Sequence, residues 1–567
     1  MNYFLERSEQ EISAACSQII GVETSEIDIE EPNAKFDADL AVPCFKFAAQ
    51  KSKSPQELAS QLAAELRLEM IESVEAVGGF VNIWLKPTSL AEGIHQDLVE
   101  EQSFGERSEG QGKKVIVDFI GLNLSKPFSV GHLRPTLQGQ ALINLYRALG
   151  YEVVGDSHIG DWGTPFGMWV VGFKKWGSDE ALQKEGAYEL GRLYVKFREE
   201  AEANPELIDK AKNWLKKLET GDDEAVGYRE RFSKISLDHM NAVLARLGVI
   251  ADENLGESFY VPGAKALVGK LIKEGAATKQ DDNSVIIPLA DLGIETPALL
   301  QKSDGSLLYA MTDIETIRYR LERWQPEKII YSVGGEQQFH FQQVFAVAGK
   351  LGYETELVHP WFGTIDEKDE TGKRAKMSSR KNTALLESLL DKAHEVARSN
   401  VNQENNLTDD DINKIAIGAI KFTEFAQARR TNILFDWDRM FSLLGFSGPY
   451  VQYAAVRVRS ILQKLDEQSD EQLELSSVYD WKTEKSLLAQ LAKYPGVVRE
   501  AATEYEPHRV AQYTYDLARA WNKYYEEVSI VDSEGEERKA RIQMLRVLSH
   551  NFEHSLGLLG IEIPKRM

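Results

Sequence analysis

The spacing of apolar positions changes character twice along the chain. Up to about Gly110, helix-period stretches such as residues 54–70 alternate with the strand-like run Gly78–Leu85, GGFVNIWL. That mixture predicts a small α+β domain over residues 1–110, closed by a polar, glycine-rich linker at 103–112. From Lys113 the pattern becomes that of an α/β unit. Val115–Ile120, VIVDFI, is continuously apolar, as a strand buried on both faces requires. A loop, a helix from about Gly131 to Leu149 and a second strand at Tyr151–Gly155 complete a βαβ unit, the opening of a doubly wound parallel sheet. The strongly charged, helical text between Lys174 and Leu247 reads as an insertion into that sheet domain, extending to about residue 290. Strand runs return at 284–289 and 328–333. From Leu407 onward nearly every segment has helical period, broken at Gly445–Pro449 and at an acidic loop, Asp532–Glu537. The predicted division is a mixed domain (1–110), a sheet domain with a helical insertion at about 174–290 (111–440) and an all-α bundle (441–567).

Composition narrows the possible partners. The 567 residues are 43% hydrophobic and 27% charged, enough to build a large core. Lys and Arg number 66 against 89 Asp and Glu, a net charge of −23. Such a surface repels polyanions on average, so general DNA coating and membrane hugging are not expected, and any nucleic-acid contact must be local. The only cysteines, Cys16 and Cys44, form no CxxC pair and no Cys/His cluster, so neither a disulfide framework nor structural zinc is expected. The start, MNYFLERSEQE, lacks the apolar stretch of a secretory signal, and no run reaches the roughly 18 apolar residues of a spanning helix. A soluble, cytoplasmic protein is expected.

Two constellations carry chemistry. The first is Asn123-Leu-Ser-Lys126-Pro-Phe-Ser129-Val-Gly131-His132-Leu-Arg134, where strand gives way to helix. Unpaired backbone N–H groups and the helix dipole favour phosphate there, Gly131 admits a flat base or ribose, and Lys126 and His132 add donors. Taken alone, Gly-His more often simply starts a helix. The second is Lys376-Met377-Ser378-Ser379-Arg380-Lys381, preceded by Lys373 and Arg374. Clustered cations and hydroxyls suit a loop that closes on polyphosphate, although a run of this kind is more often merely solvated.

In this order and about 245 residues apart, the two resemble the HIGH and KMSK motifs of class I aminoacyl-tRNA synthetases, which activate an amino acid on a Rossmann-type sheet. Longer stretches narrow the resemblance. Asp118–Gly167, Gly256–Tyr260 (GESFY), Ser303–Asp313 (SDGSLLYAMTD), Gly334–Phe345 (GGEQQFHFQQVF), Gly448–Ile461 (GPYVQYAAVRVRSI) and the ending Leu559–Met567 are similar to the arginyl-tRNA synthetase family. Essentially the whole chain is covered.

That resemblance implies ligation of L-arginine to tRNA(Arg) through an arginyl-adenylate, with ATP and its Mg2+ as substrate, no zinc, and a monomer that activates arginine only with tRNA bound. Arginine presents a planar fork of donors, which calls for carboxylates, carbonyl oxygens and an aromatic face. Tyr309 and Asp313 stand at i and i+4, on one face of a shared helix. By resemblance they line the arginine site with Asp118, Asn123 and Gln337. Glutamate is frequent in the family where Asp118 stands, and the shorter acid is expected to bind through water or a shifted ligand. The implied ATP set is Lys126, Ser129, Gly131, His132, His340, Lys376 and Met377. Lys126, His132, Lys376, Ser378, Arg380 and Lys381 are the implied catalytic residues.

The chain departs from the family pattern in four further places. Ser129 replaces the first histidine of HIGH, and Ser379 replaces the last lysine of KMSK, for which Lys126 is the implied substitute. Thr312 stands where arginine is common and Pro165 where glutamine is common; the sequence explains neither.

RNA contact calls for cations interleaved with aromatics. Tyr450, Tyr453, Arg457 and Arg459 offer this at helical spacing, with Lys565 and Arg566 near the end, while Tyr450 suits a bundle core at least as well. The resemblance implies anticodon reading through Tyr453, Arg457 and Met567, and D-loop contact by the N-terminal domain around Asn33–Phe47. Two alternatives remain open: a class I synthetase for cysteine or glutamate, and a degenerate synthetase-like protein that binds tRNA without catalysis, for which Ser129 is the main support.

Overall fold

The computed structural model describes residues 2–33, 35–100, 104–124, 128–368, 374–376, 385–400, 407–465, 475 and 479–567, with the side chains of 100, 367–368 and 374–376 excepted. An antiparallel sheet opens the chain, built from β1 (Leu40–Pro43), β2 (Ile71–Val77) and β3 (Phe80–Leu85) in the order β1-β3-β2. Gly78, at φ +63°, makes the tight turn between β2 and β3 that a residue with a Cβ disfavours. Helices Phe4–Ile20, Pro55–Glu65 and Pro87–Glu100 complete this unit. Its buried core holds both cysteines as free thiols. Burial pushes Cys16 up to about 12 and Cys44 up to about 11.

The polar stretch read as a linker is closely packed where it is described. Phe104 and Arg107 are buried; Arg107 binds Glu6 and Glu109, and the Tyr3 hydroxyl donates to the Glu106 carbonyl. Sequence composition showed the polarity of this segment but not the carboxylates waiting for it.

The central sheet begins with β4 (Lys114–Asp118) and β5 (Glu152–Asp156). Helix Leu133–Ala148 crosses between them, preceded by a 3-10 turn at Val130–His132. A Cβ at Gly139 would collide with the Phe119 side chain, so helix and strand pack at a distance that only glycine permits. Next comes the insertion. It opens at helix Thr164–Trp176, runs through Asp223–Arg246 and Glu257–Lys273, and is followed by a second antiparallel sheet that takes in the strand run expected at 284–289. That sheet is β6 (Thr278–Lys279), β7 (Val285–Ile287) and β8 (Ala298–Gln301). Helix Tyr309–Trp324 then leads to β9 (Lys328–Tyr331) and β10 (Glu356–Val358).

The central strands are parallel, in the order β10-β9-β4-β5. The chain winds one way from β4 to β5 and later returns on the other side of β4, so β4 and β9 flank the switch point where such sheets bind ligands. Alternate residues of β4 feed separate cores. Val115 and Val117 pack with helix Leu133–Ala148, whereas Ile116 packs with Met311, Ile314 and Ile329. A small sheet of β11 (Ile365–Lys368), β12 (Arg374–Lys376) and β13 (Ile433–Leu434) follows.

Helices Gly448–Lys464, Lys485–Thr503, His508–Glu527 and Gly535–Leu558 form the C-terminal bundle. The last begins inside the stretch expected to be an acidic loop, whose glutamates Glu536 and Glu537 occupy its first turn and suit the helix dipole. Among the described residues no helix is long and apolar enough to cross a membrane. Arg134, on the helix after β4, is buried. It donates to Glu424 Oε1 (2.9 Å) and to the carbonyls of Arg429 and Thr431 (both 3.0 Å), tying the sheet domain to the segment that enters the bundle. Arg134→Ala leaves Glu424 buried with only Gln138 as donor. The expected loss is roughly 3–5 kcal/mol in urea unfolding, partly recovered in the double variant with Glu424→Gln.

Candidate active site

Asp118 ends β4 and Asp156 ends β5, side by side in the parallel register. Between them lies the fully buried guanidinium of Arg320. Its Nη2 donates to Asp118 Oδ2 (2.5 Å) and Asp156 Oδ2 (2.8 Å), and its Nε donates to Asp156 Oδ2 (3.0 Å). Burial opposes the Arg320 charge, but the two carboxylates hold it well above its ordinary value. Asp118, a candidate ligand for a cationic substrate, is thus buried and already engaged by an internal cation.

Arg320 belongs to helix Tyr309–Trp324, which carries Tyr309 and Asp313 at its start. Tyr309 is 60% exposed. Asp313 is flanked by two histidines, with Oδ2 at 2.6 Å from His340 Nε2 and Oδ1 at 3.8 Å from His158 Nε2. Sequence reasoning missed His158, two residues past the end of β5, and Glu257, inside the GESFY stretch. Burial, then the charges of Asp313 and Asp161, push Glu257 up to about 8. Partial desolvation and then the Glu257 charge also raise the Tyr309 phenol. Glu257 thus lies within electrostatic reach of Asp313 and Tyr309, a grouping of acids and a phenol that suits a cation.

Asn123 faces this region through a parallel bridge with Gly160, against which the Leu124 amide also bonds (3.0 Å). Ile120, buried, takes a left-handed φ of +74° between Asp118 and Asn123. A β-branched residue there holds about 1–3 kcal/mol of strain, a feature that clusters at ligand sites. Gln337 is exposed on the 3-10 turn Gly335–Gln337 at the entry to the helix bearing His340.

On the other side of the switch point, Ser129 and Gly131 begin the turn before helix Leu133–Ala148. Gly131 is exposed, whereas Ser129 is buried against His132, whose Nδ1 lies 3.2 Å from both the amide nitrogen and the hydroxyl of Ser129. Ser129 also makes an antiparallel bridge with Leu385, and the Leu386 amide donates to the Phe128 carbonyl (3.0 Å). This joins the first constellation to the chain that directly follows the second. Lys126, Met377, Ser378, Arg380 and Lys381 lie outside the described residues, as does the side chain of Lys376, whose backbone pairs within β12. Thr312 and Pro165 acquire local explanations. The Thr312 hydroxyl donates to the Tyr309 carbonyl (2.8 Å) in a buried position, and Pro165 stands in the first turn of its helix, where no N–H is needed.

In the bundle, Arg457 lies between the rings of Tyr453 (4.7 Å) and Tyr525 (4.9 Å) and donates to Asn522 (2.9 Å). Tyr525 is a further aromatic on this face, from a helix that sequence spacing alone does not bring near. Tyr450 is packed on Tyr515, with Asn522 donating to its hydroxyl, and Arg459 pairs with Glu553. Met567 is half-buried against the core.

A doubly wound sheet whose first βα turn is bridged to the chain beyond a distant basic segment has the architecture of a class I aminoacyl-tRNA synthetase. Family models agree along the chain: "tRNA synthetases class I (R), catalytic domain" at residues 93–437, "DALR anticodon binding domain" at 451–567 and "Arginyl tRNA synthetase N terminal domain" at 6–85. The chain is 36% identical to an arginine–tRNA ligase of Exiguobacterium sibiricum, covering 99% of this chain and 100% of that one. It is also 36% identical to one from Lactococcus lactis, over 98% and 99%. Its fold matches the Thermus thermophilus arginyl-tRNA synthetase structure with a TM-score of 0.82 at 23% identity, covering 99% and 100% of the two chains. The chain belongs to the arginyl-tRNA synthetases.

The Glu257 carboxyl gives the site a pH signature. Because its native value lies above the ordinary 4.5, the native state binds more protons than the unfolded chain between about 4.5 and about 8, and stability falls as pH rises through that window. Glu257→Gln cannot ionise. Its thermal midpoint should gain on the wild type as pH rises across the window, and parallel pH profiles for the two proteins would show that Glu257 is not perturbed.

Proposed function

We propose that this arginine–tRNA ligase carries out both of its steps at the carboxyl end of the central sheet, with arginine in the Glu257–Asp313–Tyr309 pocket and ATP over the Ser129–His132 turn. In the first step the arginine carboxylate attacks the α-phosphate in line. An oxygen–phosphorus bond forms as the bond to the bridging oxygen breaks, giving arginyl-adenylate and pyrophosphate. In the second, the 2′-hydroxyl of the terminal adenosine attacks the activated carbonyl, AMP leaves with the bonding electrons, and the hydroxyl proton is released. Catalysis is positioning and charge stabilisation rather than covalent attack by the protein. Magnesium arrives as part of the nucleotide substrate.

The observation that supports this reading is the Ser129–Leu385 bridge, which joins the first constellation to the chain four residues beyond Lys381. Asp313 and Glu257 take the guanidinium, Tyr309 packs against it, and Asn123 and Gln337 approach from the pocket edge. Asp118 acts through Arg320 rather than on substrate. Gly131 and His132 contact ATP, Ser129 buttresses the His132 ring, and His340 orients Asp313 while reaching toward the nucleotide. Lys126, Lys376, Ser378, Arg380 and Lys381 supply charge to the phosphates, with Met377 against the base. Residues 1–110 meet the corner of the tRNA, and Tyr453, Arg457 and Tyr525, with Met567, read the anticodon from the bundle. Aromatic and guanidinium faces there stack unpaired bases despite the acidic surface. The enzyme works as a cytoplasmic monomer.

Pyrophosphate exchange in the presence of tRNA tests the substrate assignment: arginine should support it, and cysteine and glutamate should not. Exchange with either of those but not arginine overturns the pocket reading, and no exchange at all favours a degenerate tRNA-binding protein. The pocket also predicts a proton count. At pH 7 Glu257 is largely protonated, and an incoming guanidinium expels that proton. Calorimetric titration of arginine in buffers of different ionisation enthalpy should show release that Glu257→Gln abolishes.

A further inference from the structure

We infer that helix Asp223–Arg246 of the insertion is a strut that positions both substrate pockets, Arg229 setting the arginine side and Arg246, with Tyr188, the ATP side. The inference rests on the pocket assignments above and adds residues that touch neither substrate.

At one end, Arg229 Nη1 donates to Ser258 Oγ (2.8 Å) and lies 3.8 Å from Asp161 Oδ2. Asp161 in turn accepts from the Ser258 amide (2.8 Å) and hydroxyl (2.6 Å), and the Glu257 amide donates to the Ile159 carbonyl (2.8 Å). These bonds fix the first turn of helix Glu257–Lys273, whose first residue is the pocket carboxylate. Arg229 thus acts on arginine through the direction in which Glu257 points.

At the other end, Arg246 Nη2 pairs with Asp391 (2.7 Å), and its Nη1 is 4.0 Å from Glu387. The Tyr188 hydroxyl donates to Glu387, and its ring stands edge-on to His239 of the strut, with centroids 5.2 Å apart. Glu387 and Asp391 lie on helix Leu386–Asn400, whose start is bonded to Phe128 and Ser129. Leu122, Leu124, Phe128 and Leu385 face Tyr188 and His239 across a small cleft. The polar latch therefore bridges a gap in the packing between insertion and nucleotide turn. Arg229 and Arg246 are 17 residues apart, about 26 Å along a helix, so one rigid element fixes the spacing of the two latches.

The test is tRNA-dependent pyrophosphate exchange by the full-length enzyme, with arginine and ATP varied separately. Arg229→Ala should raise the arginine KM about fivefold with the ATP KM within about twofold. Arg246→Ala and Tyr188→Phe should do the reverse, the sizes being those of single partly exposed polar contacts. Arg229→Lys and Arg246→Lys should recover most of each loss. Hydrogen exchange should quicken at residues 257–261 in the first variant and at 385–391 in the second. If Arg229→Ala does not fold, Ser258→Ala removes the same contact. Equal changes in both KM values, or no change in either, overturn the strut. Asp313→Asn serves as the separate control. An arginine KM that it leaves unmoved refutes the pocket assignment itself, whatever the strut variants show.

Discussion

The guanidinium of Arg320, held between Asp118 and Asp156, is the interaction on which the geometry of the site depends. It ties the ends of two neighbouring parallel strands to the helix that carries Tyr309 and Asp313. Three buried charges are costly to desolvate, and such groups persist where they fix an arrangement that apolar packing would leave loose. Here the arrangement fixed is the position of Asp313 relative to the end of the sheet. One acid at the strand end is thereby paired, while Asp313 and Glu257, on two different helices, lie within electrostatic reach of each other. Burial, and after it the charges of Asp313 and Asp161, raises the Glu257 carboxyl to about 8.

The chain carries a net charge of −23 and yet belongs to a family that binds two polyanions, ATP and tRNA. Much of its charge is consumed internally. Arg107, Arg134, Arg229, Arg246 and Arg429 are all paired with carboxylates of other elements. Arg457 differs in kind, since its partners are an amide and two aromatic rings, and its positive face keeps company with surfaces on which a base can stack.

Legibility in the sequence followed range. The βαβ unit was readable because its signals are local: a continuous apolar run, a helical period and a second run, found at Lys114–Asp118, Leu133–Ala148 and Glu152–Asp156. Asp118 was recognisable as a strand-end acid, but its partner is 202 residues away, so its burial was not. Glu257 lies inside the GESFY stretch, but the burial that chiefly raises its carboxyl, and the Asp313 charge from another helix, come from packing that the sequence does not display. The linker at 103–112 shows its polarity in composition, but not the pairing of Arg107 with Glu6 and Glu109. Thr312 and Pro165 needed only the start of a helix to become intelligible, and neither the hydrogen bond nor the cap is visible before that start is located.

The two thiols of the N-terminal unit have a practical corollary. Both Cys16 and Cys44 are sealed in its core and are poor nucleophiles at neutral pH. Maleimide or nitroxide reagents will therefore find almost nothing to modify on the native molecule. A single cysteine introduced at an exposed position can be labelled against a silent background, and pairs of such sites would report distances during turnover without first stripping the protein of its own sulfur.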